Sequence, residues 1–97
     1  MSEAAAAASH LLELFQARWT DPSRASSLAL RDERRSYTYA ELHESVGRCA
    51  GWLHGAGVRH GDRIALAMER SAELVICILG AMAAGACPCP QIGRAHV

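Results

Sequence analysis

Ninety-seven residues limit the chain to one small domain with a thin core, and 51% apolar against 21% charged residues is a globular balance rather than a disordered one. Ten basic and ten acidic side chains cancel, so no charge excess points to nucleic acid or to an anionic membrane surface. Glu3 and the alanines that follow lack the basic start of a signal peptide, and the four cysteines are therefore read as reduced thiols in a cytoplasmic protein.

The elements follow in chain order. Residues 1–10 hold an alanine run of low complexity and read as a flexible N-terminus. From about Ser9 to Trp19 the spacing of Leu11, Leu12, Leu14, Phe15 and Trp19 predicts a short amphipathic helix. Asp21-Pro22-Ser23 stops it. Ser27–Arg31 and Arg35–Tyr39 read as two strands of a hairpin around Asp32-Glu33-Arg34, whose charges suit a solvated turn.

Thr38-Tyr39-Ala40-Glu41 has the form of a capping box, and Leu42, Val46, Cys49, Ala50 and Leu53 mark one face of the helix it opens. Gly57 is placed to end that helix with a left-handed residue. Arg63–Met68 is apolar on both faces, which predicts an interior parallel strand. Ser71 and Glu73 open a second helix that buries Leu74, Val75, Ile78, Leu79 and Met82, and Gly85 closes it. Ala86–Cys89 returns as a strand before Pro90. The fold class is therefore α/β: an N-terminal helix and hairpin, then a parallel βαβ unit. One such unit leaves a sheet edge and helix faces uncovered, as in an incomplete piece of a larger domain.

Side chains that carry chemistry elsewhere have structural readings here. Cys87-Pro88-Cys89 has no second ligand pair, so packing on one strand face outweighs a metal site, and Cys49 and Cys77 fall on apolar helix positions. His10, His43, His54 and His60 lack metal-type spacing and are expected to face solvent. Glu41 is explained by its cap and Asp62 by its turn. Gly80–Gly85 lies at the end of a helix, not at the start where a phosphate loop sits. Leu74–Pro90 is uncharged but broken by Gly80, Gly85, Pro88 and Pro90, so it divides into helix and strand and does not span a membrane.

Three stretches in register carry a family resemblance. Tyr37-Thr38-Tyr39-Ala40-Glu41-Leu42 resembles the first core motif of the AMP-forming adenylating enzymes, which include acyl-CoA synthetases, the adenylation domains of nonribosomal peptide synthetases, and luciferases. Gly57-Val58 with Gly61-Asp62-Arg63-Ile64-Ala65-Leu66 resembles the family's strand entry, and Leu79–Ala86 running into Pro88 and Pro90 resembles its second core motif. The resemblance implies that residues 11–90 are part of the large N-terminal domain of an AMP-binding enzyme. It implies ATP, magnesium and coenzyme A for the full-length parent, with a carboxylic acid and a thiol as substrates, acyl-adenylate formation preceding thioester formation.

The family's Ser/Thr/Gly-rich phosphate loop and its lysine have no counterpart, because the chain contains no lysine at all. No catalytic, cofactor-binding or metal-binding residue is carried over, and these residues alone are expected to be inactive and to bind no cofactor. Their expected partner is the remainder of their own domain. A start about ten residues before the first helix favours a stand-alone CoA ligase; the alternatives are an adenylation domain of a nonribosomal peptide synthetase, or a small α/β protein that binds a partner without catalysis.

The tail departs from the pattern. Ile92-Gly93-Arg94-Ala95-His96-Val97 resembles the translation of a common sequencing adapter, whose bases ATC GGA AGA GCA CAC GTC encode these six residues. Residues 91–97 are accordingly expected to be a non-native tail.

Overall fold

The computed structural model describes residues 3–69 and 71–90, and over residues 3–10 the backbone alone. Residues 91–97, with the expected adapter-derived tail, lie outside the described residues. The elements are α1 (Glu3–Trp19), a 3-10 turn (Pro22–Arg24), β1 (Leu28–Arg31), β2 (Ser36–Thr38), α2 (Tyr39–Gly55), β3 (Arg63–Leu66), α3 (Ala72–Ala83) and β4 (Cys87–Pro90). The mixed α/β order expected from the sequence is the order observed.

Helix α1 runs from Glu3 to Trp19, further towards the N-terminus than its apolar spacing indicates, because alanine is the best helix former and needs no apolar periodicity to continue the helix. Its buried stripe is also narrower than expected. Trp19 is buried and Leu12 and Phe15 pack beside it, but Leu11 and Leu14 remain 40% and 53% exposed. The Asp21 carboxylate accepts from the Ser23 amide at 3.0 Å and caps the 3-10 turn, with Pro22 at its first position.

Strands β1 and β2 form the hairpin, pairing Leu30 with Tyr37 and Arg31 with Ser36; the register shifts between Leu28 and Leu30. At its end the chain passes directly into α2, whose first-turn amides are all satisfied. Tyr39 donates to the Ser27 carbonyl at 3.1 Å and Ala40 to the Ala25 carbonyl at 3.0 Å. Glu41 donates to Thr38 Oγ1 at 3.2 Å, and the Glu41 carboxylate accepts from the Thr38 amide at 2.9 Å, completing the capping box.

Both later helices end in the same motif. Gly57, at φ +98°, donates to the His54 carbonyl while Val58 donates to that of Leu53; Gly85, at φ +84°, donates to Met82 while Ala86 donates to Ala81. These turns release the chain into β3 and β4, which pair in parallel with Ile64 opposite Pro88 and Leu66 opposite Pro90.

Helices α2 and α3 supply most of the core. Leu42 and Leu79 are fully buried, in a cluster with Trp19, Tyr37, Val46, Ala72 and Ile76; Leu53, Ala81 and Ala86 form a second cluster against Ile64 and Val58. The face of α3 is rotated from the expected one: Ile76 is buried, while Val75, Ile78 and Met82 are half-buried. An all-apolar helix offers no polar stripe from which to orient it. Among the described residues β3 pairs with β4 alone and Ala65 is exposed, so the strand expected to be interior has one strand neighbour there.

Candidate functional site

A cleft of about 730 Å³ opens between the hairpin tip and the start of α3, lined by Asp32, Glu33, Arg34, Arg35, Tyr37, Met68, Glu69, Ser71 and Glu73. It lies beyond the carboxyl end of β3, the side on which open α/β sheets place ligands. Its electrostatics are set by Asp32. Asp32 Oδ1 accepts from the amides of Arg34 and Arg35, each at 2.8 Å, and Oδ2 accepts from the amide of Ala72 at 2.9 Å. These bonds hold the carboxyl below its ordinary value, the Ala72 amide contributing most.

The start of α3 is thereby occupied from within. Ser71 Oγ takes the Leu74 amide at 3.2 Å, and Asp32 takes that of Ala72, so the helix presents a carboxylate where an anion-binding site presents free amides. Four carboxylates against two guanidiniums, one of them Arg35 stacked 4.6 Å over the Tyr37 ring, give the lining an acidic excess. Such a wall repels a triphosphate. The residues of this cleft do not fit ATP.

A second cleft, of about 560 Å³, sits at the C-terminal ends of α2 and α3 between His54, Gly57, Val58, Arg59, His60 and Ala84. Basic side chains there complement the helix dipoles. His60 packs against Gly85, where an added Cβ would lie 2.8 Å from the imidazole. The Asp62 carboxylate accepts from the Arg59 amide at 2.8 Å, which is the turn role expected of it.

The remaining polar candidates are scattered. His43 is exposed and stacks on Trp19, with ring centroids 5.0 Å apart. His54 and His60 are exposed, and the side chain of His10 lies outside the described residues. All four cysteines are free and half-buried. The Cys77 thiol is pushed up by burial, and by its neighbours Cys49 and Glu73. Among the described residues no group of three or more Cys, His, Asp or Glu side chains could hold a metal ion.

Each motif stretch has a mechanical role that the structure makes explicit. Tyr37–Leu42 holds the cap of α2 and two core side chains; Gly57–Leu66 forms the turn into β3; Leu79–Ala86 carries the helix contact and the turn into β4. Gly80 is the close-approach point, since a Cβ there would lie 2.6 Å from Cys49 Sγ and 2.7 Å from Cys49 Cβ. The tether from Asp32 to Ala72 was invisible in the sequence, where Asp32 reads as one more charge at a hairpin tip.

Known proteins share this scaffold. The family model described as AMP-binding enzyme matches residues 16–92. The nonribosomal peptide synthetase sirP of Leptosphaeria maculans is 38% identical over 64 residues, covering 66% of this chain and 3% of its own length. A crotonobetaine/carnitine–CoA ligase of Salmonella paratyphi A is 38% identical over 60 residues, covering 62% of this chain and 12% of its own. Among solved structures, the N-terminal subdomain of Klebsiella oxytoca NpsA superposes with a TM-score of 0.72 and 31% identity over 91% of this chain and 22% of that one. The chain thus spans about an eighth or less of the two curated relatives' length. With its caps, turns and helix contact matching family motifs in register, the chain belongs to the AMP-binding enzyme family.

Proposed function

We propose that this chain is the N-terminal part of an ATP-dependent, AMP-forming carboxylic acid–CoA ligase and is inactive by itself. The observation that carries this reading is that the family match extends over residues 16–92, while every motif in it serves as cap, turn or helix contact. The chemistry then belongs to residues of the longer protein. ATP with magnesium would activate the acid there as an acyl-adenylate, releasing pyrophosphate, and coenzyme A would take the acyl group as a thioester. Charge neutralisation at the phosphates and alignment of the carboxylate are the physical requirements of that reaction, and this scaffold offers an acidic cleft instead.

Similarity to sirP favours a second reading, an adenylation domain that loads a carrier protein. Similarity to the crotonobetaine/carnitine–CoA ligase favours the first. No helix among the described residues is long and apolar enough to cross a membrane, and the cysteines are free, which supports a cytoplasmic location.

The test is ATP–pyrophosphate exchange with a panel of carboxylic acids. The purified 97-residue chain is expected to give no exchange with any of them. The product continued through a phosphate loop and its lysine is expected to exchange with at least one. Exchange by the short chain contradicts the reading.

A further inference from the structure

Helices α2 and α3 come into close contact at a glycine, and the sulfur that fills the space beside it belongs to a pair. A Cβ built on Gly80 would lie 2.6 Å from Cys49 Sγ and 3.4 Å from the amide nitrogen of Ala50. The two backbones therefore meet at this point, since Gly80 has no side chain to hold them apart. Cys77 precedes Gly80 by three residues, and residues three apart on a helix are neighbours on one face. Cys49 packs against both clusters of buried side chains, and Cys77 lies within one turn of the point its sulfur touches. The Cys49 and Cys77 thiols are hydrogen-bonding neighbours, and both are free and half-buried.

Cys87 and Cys89 make the opposite case. They stand two residues apart on β4, which separates them by roughly 7 Å along the strand, whereas a disulfide holds its Cβ atoms about 3.8 Å apart. Cys89 Sγ donates instead to the Cys87 carbonyl at 3.8 Å.

We propose that Cys49 and Cys77 are an oxidation site, forming a reversible disulfide that staples α2 to α3, with a low-molecular-weight disulfide as the oxidant. The Cys49 thiolate attacks one sulfur of the oxidant, which forms a mixed disulfide and expels the first thiolate. Cys77 then gives its proton to solvent and attacks the Cys49 sulfur, which expels the second. Two S–H bonds are lost and one S–S bond is made; the two electrons pass to the oxidant, which leaves as two thiols. The order follows from the surroundings. Burial, and the neighbouring Cys49 and Glu73, disfavour the Cys77 thiolate, so Cys77 acts second, where its closeness to the mixed disulfide compensates. The bridge closes a loop of about 30 residues across a contact that already exists, so it restricts the unfolded chain and leaves the helices where they are. The inference rests on the helix contact and is independent of the ligase reading.

The experiment incubates the dilute 97-residue chain with glutathione disulfide, blocks the remaining thiols by alkylation and maps the monomer by mass spectrometry. The expected monomer is lighter by two hydrogens before alkylation, with Cys49 linked to Cys77 and with Cys87 and Cys89 alkylated. The double variant Cys87→Ser, Cys89→Ser should form the same link, now with no other pair to confuse it. Cys49→Ser and Cys77→Ser should each lose the link and stop at the mixed disulfide with glutathione or at the free thiol. The urea midpoint of the oxidised double variant should rise by about 1 M and return when dithiothreitol is added.

Cys49 and Cys77 both alkylated after incubation overturns the proposal, as do links that join other pairs or separate chains in its place. A Cys49–Cys77 link that leaves the urea midpoint unchanged or lowers it also overturns it, because the helices would then have left their native contact to make the bond.

Discussion

Asp32 ties the hairpin tip to the start of α3, its carboxylate accepting from the amides of Arg34, Arg35 and Ala72. It was legible as a turn residue, because Asp-Glu-Arg at a hairpin tip is ordinary turn chemistry. Its bond to the Ala72 amide, 40 residues away, depends on how the hairpin lies against α3, and no local pattern encodes that. The bond has a pH signature. The carboxyl of Asp32 is held below its ordinary value of 3.8, so its stabilising effect is complete above that value and is lost as pH falls through the lower folded value. Asp21, lowered chiefly by its bond from the Ser23 side chain, contributes with the same sign. Asp32→Asn is therefore expected to lower the melting temperature at neutral pH and to flatten its fall on acidification to about pH 3. Thermal melts of both proteins across that range check it; parallel curves would show that the bond to Ala72 carries no stability.

At the scale of elements, the caps and turns made by residues close in sequence were legible and the helix faces only partly so. The capping box at Thr38 and the glycines at 57 and 85 announce themselves because only a few residue types meet those backbone demands. The buried face of α3 did not, since apolar residues surround it and only packing into the core cluster with Trp19, Tyr37, Leu42 and Val46 selects Ile76 over Ile78. The α2–α3 contact gives a paired prediction of opposite sign. Gly80→Ala pushes a methyl into Cys49 and should destabilise by about 1–3 kcal/mol, less the roughly 1 kcal/mol alanine gains in a helix. Gly47→Ala on α2 meets nothing within 4 Å and should stabilise by up to about 1 kcal/mol. Urea unfolding of the two variants checks both, and a stabilised Gly80→Ala would mean that the helices are not in close approach at that point.

For the whole molecule, two small sheets and two clusters of buried side chains leave much of the apolar surface unmatched. Trp52 is 71% exposed and Leu28 57%, and β3 carries a free edge. The sequence had already signalled this: a strand apolar on both faces needs cover on both, and among the described residues Ile64 packs into the core while Ala65 stays exposed. The purified 97-residue chain is expected to self-associate, as unfinished apolar surfaces do, with a broad melt. Sedimentation velocity combined with a thermal scan checks this; a monomer with one sharp, cooperative transition would show that the chain completes its own core.

On the proposed reading these residues are scaffold, and the phosphate-binding chemistry belongs to residues that follow them in the longer protein. The most direct measurement is the sequence of the source transcript beyond the codon for Pro90, obtained by amplifying its 3′ end. The ligase reading expects a reading frame that departs from Gln91–Val97 and runs on into a Ser/Thr/Gly-rich loop with a lysine. A frame that reads Gln91 through Val97 and then stops would contradict it, and would leave a small α/β protein whose free strand edge serves some other partner.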